Sequence, residues 1–109
     1  MAGKKRKKIA LNSRQQRFLR GLGHHLQVKA TVGKEGITEQ VLKSLNEVVD
    51  AQELVKVKLQ ENFPHERKEG GALLALETKT ALVQIIGRVV ILYRGNPDLP
   101  ADQRIDLPK

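Results

Sequence analysis

The sequence predicts an α/β (α+β) fold, a two-layer sandwich in which helices cover one face of a four-stranded mixed sheet. Three observations predict it. Segments that alternate like strands take turns with segments of helical periodicity, in the order α-β-α-β-α-β-β. Two runs rich in Val and Ile close this series as a hairpin. The chain has 109 residues, 39% of them hydrophobic, which is enough for one modest core.

The first helix is predicted within residues 11–27. Asn12 or Ser13 can cap it by accepting a hydrogen bond from a backbone N–H that has no partner inside the helix. Two glycines weaken its second half, so we expect the helix to end near Leu22 or His25. Four apolar side chains at helical spacing form a single stripe that should face the core. They are Phe18, Leu19, Leu22 and Leu26.

A short strand and the clearest helix of the chain come next. Residues 28–32 have the β-branched, alternating content of a strand, and residues 37–51 have a regular apolar stripe. Thr38 is the expected N-cap of this helix, and Glu39 suits the positive end of its dipole. Residues 53–60 then alternate as a second strand, with apolar side chains on one face and two lysines on the other.

The third helix is ambiguous. Pro64 and a helical spacing of apolar residues favour one helix over residues 64–80, whereas the pair Gly70–Gly71 argues for a break or a frayed first half. The spaced residues are Leu73, Leu76 and Thr80. Residues 81–94 predict a β-hairpin with a two-residue turn, in which Gly87 can adopt positive φ without steric strain.

Charge and proline content divide the chain into three predicted parts. They are a disordered basic arm at residues 1–10, a folded domain at residues 11–97 and a loose, proline-containing tail at residues 98–109. The formal net charge is +8, and the whole excess lies in the first third of the sequence. One-sided basic charge is typical of proteins that bind a polyanion. The cations of the arm are Lys4, Lys5, Arg6, Lys7 and Lys8.

The motifs of several other classes are missing. The sequence has no cysteine, no apolar run near the roughly 20 residues that span a bilayer, and no apolar segment after its basic start that would make a secretory signal. No nucleophile motif, phosphate-binding loop of an NTPase or metal-ligand cluster is present. We therefore expect a cytoplasmic protein without catalytic residues, cofactor, metal, small-molecule substrate or membrane partner.

The loop Gly33–Gly36 is the strongest candidate for a binding element. Glycines let a backbone approach a ligand closely, the following helix presents free N–H groups, and Lys34 adds a cation. An ordinary strand-to-helix turn can show the same glycine spacing, so the surrounding basic residues decide the interpretation. We expect bulkier residues at both glycines to weaken binding without unfolding the domain. The residues predicted to contact nucleic acid are Arg14, Arg17, Arg20, His24, Lys29, Gly33, Lys34, Glu35, Gly36 and Ile37.

The mode of binding follows from the scarcity of aromatic residues, which make up 3% of the chain. A sheet that stacks two or three bases needs exposed aromatics on its strands. The aromatic residues are Phe18, Phe63 and Tyr93, too few for such a stacking sheet, and Phe18 is assigned to the apolar stripe of the first helix. The sequence therefore predicts a protein that grips the sugar–phosphate backbone and the shape of its ligand.

The segments "LNSRQQRFLRGLGHHLQ", "VGKEGITEQVLKSLNEVVDAQELVKVKL" and "LVQIIGRVVILYRGNP" closely resemble the YhbY family, the single-domain bacterial form of the chloroplast RNA splicing and ribosome maturation (CRM) domain. The resemblance covers residues 11–97. It implies a fold similar to the C-terminal domain of translation initiation factor three and related in shape to KH modules. The family's G-x-x-G loop corresponds to Gly33–Gly36.

The resemblance also implies a function. The family binds RNA, and its bacterial members associate with precursors of the large ribosomal subunit. We accordingly expect a monomer that binds ribosomal RNA in such a precursor and assists its assembly. Two alternatives remain open at this stage: a protein-interaction module that docks on a ribosomal protein or another assembly factor, and a DNA-binding protein.

Overall fold

A computed structural model describes residues 10–109, so the basic arm and its five cations lie outside the described residues. The fold class and the order of the elements are confirmed. The elements are α1 (Ser13–Gly23), β1 (Ala30–Val32), α2 (Glu39–Gln52), β2 (Leu54–Leu59), α3 (Arg67–Thr78), β3 (Ala81–Ile86), β4 (Val89–Tyr93) and a short 3-10 helix (Ala101–Gln103).

The four strands form one mixed sheet in the order β1-β2-β4-β3. β1 is parallel to β2, and the remaining neighbours are antiparallel. Val32 pairs with Leu59, Lys58 pairs with Val89, and Val89 pairs with Ile86. The C-terminal ends of β1, β2 and β3 therefore lie at the same end of the sheet as the β3–β4 turn. We call this end of the sheet the turn end, and the opposite end, where Leu54 pairs with Tyr93, the far end.

The main core lies between the sheet and the pair α2 and α3. Leu45 and Val49 of α2 and Leu74 of α3 are fully buried there. The apolar residues of β2 that share this face are Val55, Val57 and Leu59. The stripe of α2 and the alternation of β2 are thus confirmed, and Thr38 caps α2 by accepting a hydrogen bond from the N–H of Val41 at 3.1 Å.

The opposite face of the sheet is covered by α1, so the predicted two layers are complemented by a third. Leu19 of α1 is fully buried against apolar side chains of β2, β3 and β4. These side chains are Leu54, Val83, Ile91 and Tyr93. Of the two predicted caps, Asn12 is the one that caps α1, and it does so in a capping box with Gln15. Phe18 and Leu22, in contrast, are 40% and 36% exposed, so the predicted apolar stripe is wrong at these two positions.

α1 crosses the strands rather than running along them. Its Gln16 side chain donates to the carbonyl oxygen of Val83 in β3, and its Gly23 lies on Ile91 in β4. Just beyond α1, the carbonyl oxygen of Leu26 accepts a hydrogen bond from Lys56 in β2. Because the three strand residues lie at one level of the sheet, the helix axis runs from β3 towards β2. One flank of α1 consequently faces the turn end and the other faces the far end.

α3 is one continuous helix, which resolves the ambiguity at its glycines. A Cβ atom on Gly70 would lie 2.4 Å from the ring of Phe63, and one on Gly71 would lie 2.8 Å from Ile85. The glycines are therefore there for close packing and not for a break. Leu76 of this helix is 71% exposed, whereas Leu74 is fully buried against the sheet.

The hairpin is confirmed, with Gly87 at φ +57 in its two-residue turn. Positive φ at the first turn position is typical of a type II′ turn, which matches the twist of the two strands.

The C-terminal segment differs from the loose tail that the sequence predicts. The buried carboxylate of Glu53 accepts hydrogen bonds from the backbone N–H groups of Asn96 and Ile105. Gln15 of α1 donates to the carbonyl oxygen of Pro108 at 3.0 Å, and Ile105 packs on the second face of the sheet. The segment is therefore attached to the far end. Burial, and secondarily the Glu53 charge, raises the pKa of Tyr93 above its ordinary value.

Candidate nucleic-acid interface

The loop Gly33–Gly36 forms a tight turn at the turn end, with Gly36 buried. The N–H of Gly36 donates to the carbonyl oxygen of Gly33 at 3.0 Å, and φ of Gly36 is +74. Lys34 and Glu35 occupy the exposed tip. No other segment among residues 10–109 covers these two side chains, so Lys34 is accessible to a ligand.

The structure changes two expectations about the loop. The N–H of Gly36 is already used inside the turn, so it is not free to hold a phosphate, and the side chain of Ile37 packs against the main core. A side chain at Gly33 would displace only the flexible end of Gln60, whereas one at Gly36 would require positive φ and press on Pro64 at 3.2 Å. Bulkier residues at Gly36 are therefore expected to strain the fold.

The shallow concavity beside the loop is electrically mixed. It is lined by the loop and by the first turn of α2, where Thr38 already caps Val41. Lys34 contributes a positive charge, but Glu35 and Glu39 contribute two negative charges. The concavity by itself is therefore a poor anion site, and the value of the loop lies in the position of Lys34.

The flank of α1 that faces the turn end carries Arg20. Successive helix positions are 100° apart, so Gln15 and Arg20 lie on opposite flanks of the buried residue Leu19. Gln15 binds the C-terminal segment, which lies at the far end, so Arg20 points towards the turn end. His24, one helical turn later, lies on the same flank and is exposed.

Two further arginines of α1 point away from the sheet. Arg14 and Arg17 are both exposed and lie on the outer surface of the helix. Lys29 is exposed immediately before β1, and Lys34 follows β1. The strand between the two lysines is itself roughly 10 Å long, so only Lys34 lies at the turn end.

Sequence reasoning missed two cations that the sheet brings to this region. Lys58 of β2 is exposed on the face that α1 covers, one pair from the turn end, where it stands between Thr31 and Val89. Arg88 is exposed in the β3–β4 turn and reaches the carbonyl oxygen of Gln60 at 3.4 Å. The alternation of β2 gave a signal for Lys58, but only the strand order shows that it comes next to α1.

We refer to one set of side chains as the basic surface: the outward and turn-end flank of α1 together with the neighbouring cations of the sheet. Its members are Arg14, Arg17, Arg20, His24, Lys34, Lys58 and Arg88. Of the predicted contact residues, Lys34 lies at the turn end, Arg20 and His24 lie on the flank of α1 that faces it, and Lys29 lies away from it.

The negative charges are kept off the α1 part of this surface, whereas Glu35 and Glu39 lie beside Lys34 at the loop. α1 and the four strands contain no Asp or Glu. The acidic residues lie on α2, α3, the loops and the C-terminal segment. The α1 side of the domain is therefore cationic, which suits a sugar–phosphate chain. Its Arg guanidinium groups can each donate two parallel hydrogen bonds to one phosphate.

Within residues 10–109, no group of three or more His, Asp or Glu side chains is placed to hold a metal ion. None of the helices in that range is both long enough and apolar enough to cross a membrane.

Comparison with known proteins adds an independent finding. The family model of the CRS1 / YhbY (CRM) domain matches residues 11–94. The chain is 33% identical over 98 residues to the probable RNA-binding protein YqeI of Bacillus subtilis, covering 90% of this chain and 99% of the relative. It is 34% identical over 99 residues to an RNA-binding protein of Haemophilus influenzae, covering 91% and 96% respectively. A solution structure of a hypothetical protein from Staphylococcus aureus superposes with a TM-score of 0.75 at 32% identity, covering 91% of this chain and all of that one.

Proposed function

The chain belongs to the CRS1/YhbY (CRM) domain family, and on that premise we propose that it is a non-catalytic RNA-binding protein that assists assembly of the large ribosomal subunit. We further propose that it acts as a monomer in the cytoplasm. The observation that supports RNA binding most directly is the basic surface on α1 and the turn end, with no acidic residue on α1 or the strands. The relatives named as RNA-binding proteins are matched over nearly their whole length.

The basic surface suits a grip on the RNA backbone. Three cations of the surface lie on regular elements: Arg17 and Arg20 on α1, and Lys58 on β2. A helix or a strand holds such side chains in a more fixed position than a loop does. Lys34 extends the surface to the edge of the sheet at β1. Such contacts position the protein without reading sequence, and they displace counterions from the RNA, so the affinity must depend on salt.

We expect the logarithm of the affinity for single-stranded RNA to fall with the logarithm of the salt concentration at a slope of roughly −3.5, the value for about five neutralised phosphates. The Lys34→Ala variant is expected to bring the slope about 0.7 closer to zero, because one phosphate contact is lost. A fluorescence titration over a series of salt concentrations measures both slopes.

The matched control is Lys43→Ala, which removes an exposed lysine from α2 on the other side of the sheet. Its slope should equal that of the unchanged protein. A flat salt response of the unchanged protein would contradict a backbone grip, and equal slopes for both variants would remove the loop from the interface.

The role in assembly needs a separate experiment. The protein is expected to sediment with precursors of the large subunit and to be released when the particles are treated with RNase. Crosslinking in cells, followed by sequencing of the attached RNA, should then recover large-subunit ribosomal RNA. Association that survives RNase treatment would instead indicate docking on a ribosomal protein or assembly factor, and would refute RNA as the ligand in the particle.

A further inference from the structure

Phe18 is an exposed aromatic ring on the most basic element of the domain. It lies in the second turn of α1 and is 40% exposed. In residues 10–109 the close aromatic pair joins two other residues, Phe63 and His65. The ring of Phe18 therefore has no close aromatic partner within the described structure, and the residue is partly exposed to solvent.

Gly21 is the second unusual residue of the same surface. A Cβ atom there would meet no atom within 4 Å, and the residue is exposed. The packed glycines of the domain are different, since a Cβ on Gly23 would lie 2.6 Å from Ile91 and one on Gly70 would lie 2.4 Å from Phe63. Glycine weakens a helix relative to alanine, and neither packing nor positive φ explains it at Gly21.

The two residues are neighbours on the helix surface. Positions three apart lie on one side of an α-helix, so the bare backbone at Gly21 adjoins the ring of Phe18. Arg14 lies one turn before Phe18, and Arg17 lies one turn before Gly21. Arg14, Arg17 and Gly21 face away from the sheet, and Phe18 lies beside them on the flank of α1 opposite Arg20. A flat apolar ring, an open strip of backbone and two guanidinium groups thus share one surface patch.

An unpaired nucleobase fits this patch. A base can stack on the exposed ring whatever its identity, because every base has a π-face. Gly21 leaves room for the sugar or the edge of the base, and the two arginines can meet the flanking phosphates. A base inside a duplex is already stacked on both sides and is not available to a side chain.

We propose that Phe18 and Gly21, flanked by Arg14 and Arg17, form a platform that stacks one unpaired nucleobase and gives the protein a preference for RNA with an extruded nucleotide over a continuous duplex. This inference rests on the proposed RNA-binding function and adds a ligand class to it. It also revises the expectation from the sequence that the protein grips the backbone alone, which assumed that Phe18 is buried.

The experiment compares a short RNA duplex with the same duplex carrying one bulged 2-aminopurine. The protein is expected to bind the bulged RNA more tightly and to quench its fluorescence. Phe18→Ala should lower the affinity for the bulged RNA about tenfold, to that for the plain duplex, and abolish the quenching. Phe18→Trp should retain both, because it keeps an aromatic surface.

Gly21→Ala gives a test in which stability and binding move in opposite directions. The melting temperature is expected to rise by about 4 °C, because alanine favours the helix. The affinity for the bulged RNA is nevertheless expected to fall several-fold, while that for the plain duplex stays unchanged. Leu22→Ala, the matched removal of the neighbouring exposed apolar side chain, should leave both affinities unchanged.

The outcomes separate this inference from the proposed function. Suppose that Phe18→Ala keeps the preference for the bulged RNA, while neutral residues in place of Arg14 and Arg17 still abolish RNA binding. The platform is then refuted and RNA binding stands. If Phe18→Ala and Leu22→Ala leave RNA binding intact but both prevent association with RNase-treated particles, the patch is a protein-docking surface and the platform is again refuted. If the protein binds neither RNA, the proposed function itself fails.

Discussion

Reversing two charges of α1, by Arg17→Glu together with Arg20→Glu, is expected to lower the affinity for RNA by about 100-fold at moderate salt. Each substitution removes a phosphate contact and adds a repulsive carboxylate beside the RNA backbone. Arg17 is exposed and Arg20 is half-buried at the flank of the helix, outside the fully buried core. The double variant should therefore stay folded, which a thermal unfolding curve measured beside the titration can verify.

The control for this variant carries the same change in net charge elsewhere. Lys43 of α2 and Arg104 of the C-terminal segment are both exposed and lie outside the basic surface. Lys43→Glu with Arg104→Glu is expected to lower the affinity only a few-fold, through the weaker long-range attraction. Equal losses in the two double variants would mean that net charge alone governs binding, and that α1 is not the interface.

The parts of the fold that could be predicted from the sequence are those with a strong local signal. The stripe of α2, its Thr38 cap and the hairpin at Gly87 depend on residues a few positions apart, and all three are confirmed. The attachment of the C-terminal segment depends on Glu53 accepting a hydrogen bond from Ile105. That contact joins residues far apart in the sequence, and no local periodicity signals it.

The errors on α1 have the same origin. Phe18 and Leu22 have the spacing of core residues, but only the crossing of the helix over the sheet decides that Leu19 and Gly23 face inward. The site was predictable in part for the same reason. The basic character of α1 and the glycine loop are local features, whereas Lys58 and Arg88 join them only through the strand order β1-β2-β4-β3.

Removing the main anchor of α1 is expected to have the second large effect. Leu19→Ala deletes most of a fully buried side chain and should lower the free energy of unfolding by about 3 kcal/mol. Leu74→Ala is the matched variant, because Leu74 is equally buried on the other face of the sheet, below α3. Denaturant unfolding should give similar losses for both, since the two changes delete the same atoms from comparable surroundings.

The two variants should nevertheless differ in RNA binding. Leu19 holds α1 on the sheet through its contacts with the apolar side chains of β2, β3 and β4 on the face opposite the main core. Its loss therefore loosens the helix that carries Arg14, Arg17 and Arg20. We expect Leu19→Ala to weaken RNA binding several-fold, and to speed amide exchange in α1, at a temperature where both variants are still folded. Leu74→Ala should retain normal affinity there, because the main core does not contact α1. Equal affinities in the two variants would show that RNA binding does not need α1 docked on the sheet, and the arginines would then act as independent charges and not as a surface arranged by the fold.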